Sequence, residues 1–336
     1  MSFPSSIVAA HQLLTSGKLS VSELVEQCFQ RIEQTDPHIH AVITLMKDQA
    51  LEQAKASEVR IHDGEACSML EGIPLSLKDV VCTKGVRTTA ASHILENFVP
   101  PYNATVATKL NDAGAIIVSK VNTDEFTCGA SAETSAFGPT KNPWNIAKVP
   151  GGSSGGSAAS VAAGQCLGSI GTDTGGSIRQ PAAFCNITGL KVTYGRVSRF
   201  GVISMASSLD SVGPMARSAE DCAHILEVIA GQDTRDSTTP AVPTKNYSQE
   251  IQKPMNKYSI GIPSEYFSDA LTSEIKSAVE LAAKEFEKMG CTLVPISLPH
   301  TKYAVSVYYI LAPAEVSSNM SRYDGIRFGP GPKSPA

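Results

Sequence analysis

Apolar residues near the start of the chain recur every three or four positions, the period of a helix with one buried face. Ser20 and Glu23 form an S-x-x-E capping box ahead of LVEQCFQRIEQ, a helix expected to stop before Pro37. The segment 38–46, HIHAVITLM, alternates apolar and polar residues and predicts a strand. DQALEQAKASEVRI follows as a helix with a solvated polar face. From Gly72 the pattern changes to short apolar runs punctuated by Gly, Pro and Asn. IPLSLKDVV, AIIVSKVN and CLGSIGTD read as strands buried on both faces, with helical stretches such as ATVATKLNDAG between them. Residues 217–231 predict an amphipathic helix ending in glycine, and 233–255, rich in Thr, Pro, Ser and Lys, a surface loop. KYSIGIP, TSEIKSAVELAAKEFEKMG and CTLVPISLP then repeat strand, helix and strand, a small βαβ unit. This alternation predicts an α/β layered fold on a parallel or mixed sheet.

Composition narrows the function classes. The 336 residues suit one large α/β domain or two ordinary ones, and 42% hydrophobic content supplies a core. No apolar run reaches the roughly 18 residues that cross a bilayer, and no basic stretch precedes the apolar N-terminal part, so no membrane or secretory segment is expected. The eight cysteines are scattered, without CxxC or Cys/His zinc spacing, which predicts reduced thiols and no metal site. A net charge of −4 argues against a large nucleic-acid footprint on this chain alone.

Candidate chemistry sits at strand ends. The run PGGSSGGSAAS from Pro150 reads by composition as a flexible linker. Lys78 closes the apolar IPLSL, either as a strand-end lysine reaching water or Asp79, or as a buried and therefore neutral base. GTDTGGS follows a strand, and its glycines permit successive N–H groups of Thr174, Gly175, Gly176 and Ser177 to face one oxyanion; otherwise it is a plain turn. Ser153 and Ser154 each satisfy G-x-S-x-G, yet the preceding KNPWNIAKVP is a poor strand for a nucleophile elbow. His224 and His300 stand in no catalytic context, and neither a Walker loop nor GxGxxG is present. A thiol nucleophile at Cys185 or Cys128 lacks a flanking histidine. Serine chemistry with a lysine base remains: Lys78 takes a proton from Ser153, and Ser153 activates Ser177.

Taken together, Lys78 in GIPLSLKDV, Ser153 in PGGSSGGSAASVAAG and Ser177 in GTDTGGSIRQPAAFC resemble the three motifs of the amidase signature family. The resemblance covers roughly residues 5–329. It implies an α/β fold with a mixed β-sheet core flanked by helices in an α/β/α sandwich, as one domain over 1–329, followed by a proline-rich tail at 330–336. It also implies Ser177 as nucleophile, Ser153 in a cis peptide as proton shuttle, and Lys78 as base. Thr174, Gly175 and Gly176 would form the oxyanion hole, with Ser154 and Asp173 organising the surroundings.

Segments 122–145, 194–218 and 314–329 are similar to the glutaminase branch that serves tRNA-dependent amidotransferases. That branch implies glutamine as ammonia donor, partner subunits B and C, and Glu-tRNA(Gln) as acceptor. ATP and Mg²⁺ would be used by the partner, with no cofactor in this chain, in the cytoplasm or an organelle matrix. A stand-alone amidase of the same fold, or a scaffold protein without turnover, is the competing expectation. Family members run on past the equivalent of residue 329 and supply an arginine and an aspartate that grip glutamine. Neither is assignable here, which predicts a truncated chain with an incomplete substrate grip. Tyr308 or Tyr309 is the remaining pocket candidate, set against simple helix packing.

Overall fold

Helices α1 (Ile7–Thr15) and α2 (Val21–Ile39) open the chain in the computed structural model, which describes residues 3–255 and 258–329. The capping box forms as expected: Ser20 Oγ accepts from Glu23 N at 3.1 Å, and Glu23 accepts from Ser20 N at 2.9 Å. Pro37 does not end α2, contrary to the sequence expectation. It lies in the last turn, where a proline forfeits one backbone bond. Termination comes instead at His40, in the left-handed region at φ 52°, with Asp36 accepting from Ala41 N at 2.8 Å. The strand expected over 38–46 shrinks accordingly to β1 (Val42–Leu45).

The other elements of this part follow the apolar pattern. They are α3 (Lys47–His62), β2 (Pro74–Lys78), α4 (Thr105–Asp112), β3 (Ile116–Val121), α5 (Gly155–Ala162) and β4 (Gly168–Asp173). Beyond these come α6 (Arg179–Phe184), β5 (Thr188–Gly189), β6 (Ser211–Ala216), α7 (Ala219–Ile229) and the short α8 (Tyr247–Glu250). The sheet order is β1-β3-β2-β4-β6-β5. Strand β2 runs parallel to β3 and β4, whereas β1, β6 and β5 pair antiparallel, so the sheet is mixed and flanked by helices. Every residue of β2, β3, β4 and β6 is buried, the polar Ser76, Lys78, Ser119, Lys120, Ser169 and Asp173 included.

Part of the predicted surface loop is not on the surface. Asp233, Asp236 and Thr239 are buried, with Asp233 paired to Arg235 and Asp236 to Arg199. These guanidinium pairs and local hydroxyl donors satisfy carboxylates that composition alone assigns to solvent.

Within the stretch expected as a single domain, the chain forms two compact units, Met1–Ser248 with Glu315–Ala336, and Gln249–Ala314. The second is the predicted βαβ: β7 (Ser259–Pro263) and β8 (Thr292–Ile296) pair in parallel across α9 (Ser273–Lys288). Helix α10 (Ala304–Met320) is the last element among the described residues. The expected tail at 330–336 lies outside the described residues.

Candidate active site

Strands β2 and β4 are parallel neighbours in register, Leu77 opposite Ile170, so their C-terminal ends lie side by side. Open α/β sheets place ligands beyond such ends. Lys78 is the last residue of β2, and Thr172 the second residue after Ile170. Lys78 Nζ lies 2.8 Å from Ser153 Oγ, 2.9 Å from Ser154 Oγ and 2.8 Å from Thr172 Oγ1. The lysine is fully buried, so the reading in which it reaches water is excluded. Burial pulls its pKa down to about 7, against the opposing pull of Asp124, Asp210 and Asp173. Its hydrogen-bond partners are three hydroxyls, which leave the amine free to be neutral near neutral pH.

Strand alternation sends Asp79 to the other face. There it meets Lys120 at 3.2 Å and accepts from Thr89 N at 2.8 Å and Thr89 Oγ1 at 2.5 Å. The carboxylate next to Lys78 in sequence is thereby occupied elsewhere.

The glycine-serine run is structured. The Gly152–Ser153 peptide is cis, and Ser154 caps the start of α5. Gly152 N donates to Gln180 Oε1 at 2.8 Å. A Cβ at Gly152 would lie 2.2 Å from Asp124 Oδ2 and 2.6 Å from Ser131 N, so only glycine fits. The linker reading is thereby overturned. No strand precedes this loop, and no nucleophile elbow forms.

Ser177 sits on the loop after β4 and is 9% exposed, whereas Lys78, Ser153 and Ser154 are wholly enclosed. Ser177 is thus the most exposed residue of this group, ahead of Thr172 at 6%. Its carbonyl accepts from Ser154 N at 3.1 Å, which ties the two loops together. Asp173 organises this loop by accepting from Ile178 N at 3.1 Å and from the Arg179 guanidinium at 2.9 and 3.1 Å. Arg179 and the backbone donors hold the Asp173 carboxyl below its ordinary range despite burial.

One expected role changes. Gly176 N–H, placed by sequence among the oxyanion donors, is donated to Asp173 Oδ1 at 2.9 Å. Gly176 serves instead through its φ of 132°, which L side chains rarely adopt. The N–H groups of Thr174, Gly175 and Ser177 have no hydrogen-bond acceptor among the described residues, so they remain for an incoming oxygen.

Sequence reasoning missed four residues. Thr172 holds Lys78, Gln180 holds the cis loop, and Asp124 accepts from Ala132 N at 3.0 Å while packing on Gly152. Asp210 accepts from Thr174 Oγ1 at 2.6 Å. Thr172 and Gln180 were detectable, since both lie in GTDTGGSIRQPAAFC; Asp124 and Asp210 come from separate parts of the chain. The rejected nucleophiles stay rejected. Burial pushes the Cys185 thiol up to about 12 and raises that of Cys128. His224 is buried on α7 beside Glu227. Tyr308 and Tyr309 belong to the second unit, where their rings meet edge to face at 5.6 Å and Tyr309 is 69% exposed.

This chemistry belongs to a known class: the Amidase family profile matches residues 23–335, and the chain is a member of that family. Among its relatives is the A subunit of glutamyl-tRNA(Gln) amidotransferase from Heliobacterium modesticaldum, 54% identical over 95% of this chain and 66% of that protein. Its counterpart in Chloroflexus aggregans is 52% identical over 96% of this chain and 66% of its own length. The chain therefore spans about two thirds of the curated relatives it matches. Of solved structures, the glutamyl-tRNA(Gln) amidotransferase A subunit from Thermotoga maritima is 39% identical with a TM-score of 0.80, covering 89% of this chain and 63% of that one. Native peptide amidase from Stenotrophomonas maltophilia is 34% identical with a TM-score of 0.87, covering 96% and 68%. Among the described residues, no helix is long and apolar enough to cross a membrane, and no group of three or more His, Cys, Asp or Glu residues is placed to hold a metal.

Proposed function

We propose that this chain is the glutaminase component of a tRNA-dependent amidotransferase. The observation that carries the reading is the buried Lys78 amine held by the hydroxyls of Ser153, Ser154 and Thr172, with the Ser154 N–H bonded to the Ser177 carbonyl. Neutral Lys78 accepts the Ser153 proton as Ser153 takes that of Ser177. Ser177 Oγ then adds to the glutamine side-chain carbonyl, and the oxyanion meets the free N–H groups of its loop. The same relay returns a proton to nitrogen as the C–N bond breaks, releasing ammonia and leaving a glutamyl ester. Water enters, gives its proton to the relay, and the ester C–O bond breaks to regenerate Ser177. Identity above 50% to the A subunits of H. modesticaldum and C. aggregans supports glutamine as the amide. Subunits B and C are the partners in this reading, with ATP and Mg²⁺ used by the partner on Glu-tRNA(Gln).

The test is ammonia release from glutamine by the chain alone and with subunits B and C, with and without Glu-tRNA(Gln). Ser177→Ala should abolish glutamine-dependent amidation while leaving ammonium-dependent amidation by the complex nearly intact. Equal loss of both activities would sink the reading. A stand-alone amidase is the second reading, favoured by the TM-score of 0.87 to peptide amidase against 0.80 to the T. maritima protein. Turnover of a peptide amide without partners or tRNA, at a rate above that on glutamine, would establish it instead.

A further inference from the structure

The segment 315–329 returns to the first unit and meets the loop that carries Asp210. Asn319 is buried; its Nδ2 donates to Met205 O at 3.0 Å and to Ser207 Oγ at 3.2 Å. Arg322 fixes the amide's orientation by donating to Asn319 Oδ1 at 3.0 Å. One turn earlier, Glu315 accepts from Ser208 N at 3.0 Å and from the Ser208 hydroxyl. The far side of the same loop is gripped by Arg199, which donates to Ser207 O and pairs with Asp236.

The held loop reaches the oxyanion stretch through Asp210. Asp210 Oδ2 accepts from Met205 N at 2.9 Å, and Oδ1 accepts from Ala206 N at 3.1 Å and Thr174 Oγ1 at 2.6 Å. Thr174 begins the three-residue stretch between Asp173 and Ser177 where an oxyanion would find its donors. A displacement of Met205 therefore moves Asp210, and Asp210 moves Thr174. Asn319 and Met205 are buried and Asp210 and Thr174 half-buried, so water competes for only part of this hydrogen-bonded chain and position is passed along it.

We propose that Asn319 is a positioning residue for the oxyanion loop, acting through Met205, Asp210 and Thr174. The proposal rests on the serine-nucleophile reading above but not on glutamine being the substrate. It assigns the 315–329 segment a part in catalysis despite its distance in sequence from Lys78, Ser153 and Ser177.

The experiment reads Ser177 directly with a fluorophosphonate. Ser177 Oγ forms the P–O bond, fluoride leaves, and the serine proton passes to Lys78. Asn319→Asp keeps the shape but removes the donor to Met205 O. It should slow labelling about tenfold, the effect of one buried hydrogen bond of roughly 1.4 kcal/mol. The pH midpoint, set by Lys78, should not move. In a Thr174→Val background, which severs the route, the same substitution should slow labelling less than about twofold. A merely structural role predicts equal slowing in both backgrounds, and that result, or no slowing in either, overturns the proposal while leaving the nucleophile in place. Failure of the unsubstituted chain to label at Ser177 would instead overturn the serine-nucleophile reading and this proposal together.

Discussion

Helices α7 and α9 show the same apolar periodicity in sequence and opposite fates in the fold. On α7, Cys222, Ala223, Ile225, Leu226 and Ile229 are buried, and the helix packs on β6. On α9 no residue is buried, and Ile275, Val279 and Leu281 are each about half exposed. The strands differ likewise: β4 is enclosed throughout, whereas β8 leaves Val294 and Ile296 exposed. Among the described residues of the second unit, only Cys291 and Ala312 are buried. An apolar stripe thus specifies what kind of element forms, but whether it is covered depends on how much structure surrounds it. Precision at the site comes from the first unit, where a close-packed sheet fixes the positions of Lys78 and Thr172. The second unit presents apolar surface of the sort that marks an interaction face.

The sharpest test of that division is Lys78. Lys78→Arg should lower the rate of Ser177 labelling by about three orders of magnitude or more, because a guanidinium stays protonated and cannot act as base. In the unsubstituted chain the labelling rate should rise with pH through about 7, where the lysine becomes neutral. Stability carries the same signature. The folded-state pKa lies below the ordinary lysine value of 10.5, so between about 7 and 10.5 the unfolded chain binds more protons. Folding stability from this group therefore rises with pH across that window, and below about pH 7 its burial cost is present in full. Lys78→Met should flatten that part of a denaturant-stability profile; an unchanged slope would mean the amine is charged in the fold.

Core truncation gives the next largest contrast. Leu75 is fully buried in β2, and Leu75→Ala should destabilise by about 2–5 kcal/mol through lost transfer energy and a residual cavity. Ile275→Ala on α9 should cost less than about 1 kcal/mol, since over half the side chain is already in water. Denaturant melts of the two variants measure the difference directly. Comparable losses would show that α9 is covered in solution.

How far the sequence can be read follows the same boundary. Strands β2, β3 and β4 are legible as apolar runs, and Lys78, Ser153 and Ser177 as motifs, because each is written in consecutive residues. The end of α2 is misplaced by a reading that takes Pro37 without the cap that Asp36 and His40 provide around it. Gly176 looks like an oxyanion donor because sequence shows that an N–H exists, not that Asp173, three residues before, already takes it. Asp124, Asp210 and Asn319 lie inside the segments 122–145, 194–218 and 314–329, whose likeness to the family is legible. Their roles are not, because these depend on partners brought together by the fold, 114 residues apart in the case of Asn319 and Met205. The exposure of α9 is equally hidden, since its pattern is that of a core helix.

The smallest effect belongs to the α9 surface itself. Leu281 is 61% exposed, so Leu281→Lys should change folding stability by no more than about 0.5 kcal/mol. Lysine is also a good helix former, and α9 already carries Lys276, Lys284 and Lys288 among glutamates, so the new charge is absorbed by a mixed surface. Ser177 labelling should be unchanged, because no residue of α9 takes part in the hydrogen-bond chain that fixes the site. What should change is association: a charge in the middle of the apolar stripe penalises any contact that would desolvate it. Sedimentation of the unsubstituted chain and the Leu281→Lys variant over a range of concentrations reads this. Weaker self-association of the variant, or weaker binding to subunits B and C, would make α9 an interaction face. Identical sedimentation together with identical partner binding would show that its apolar stripe is simply tolerated in water.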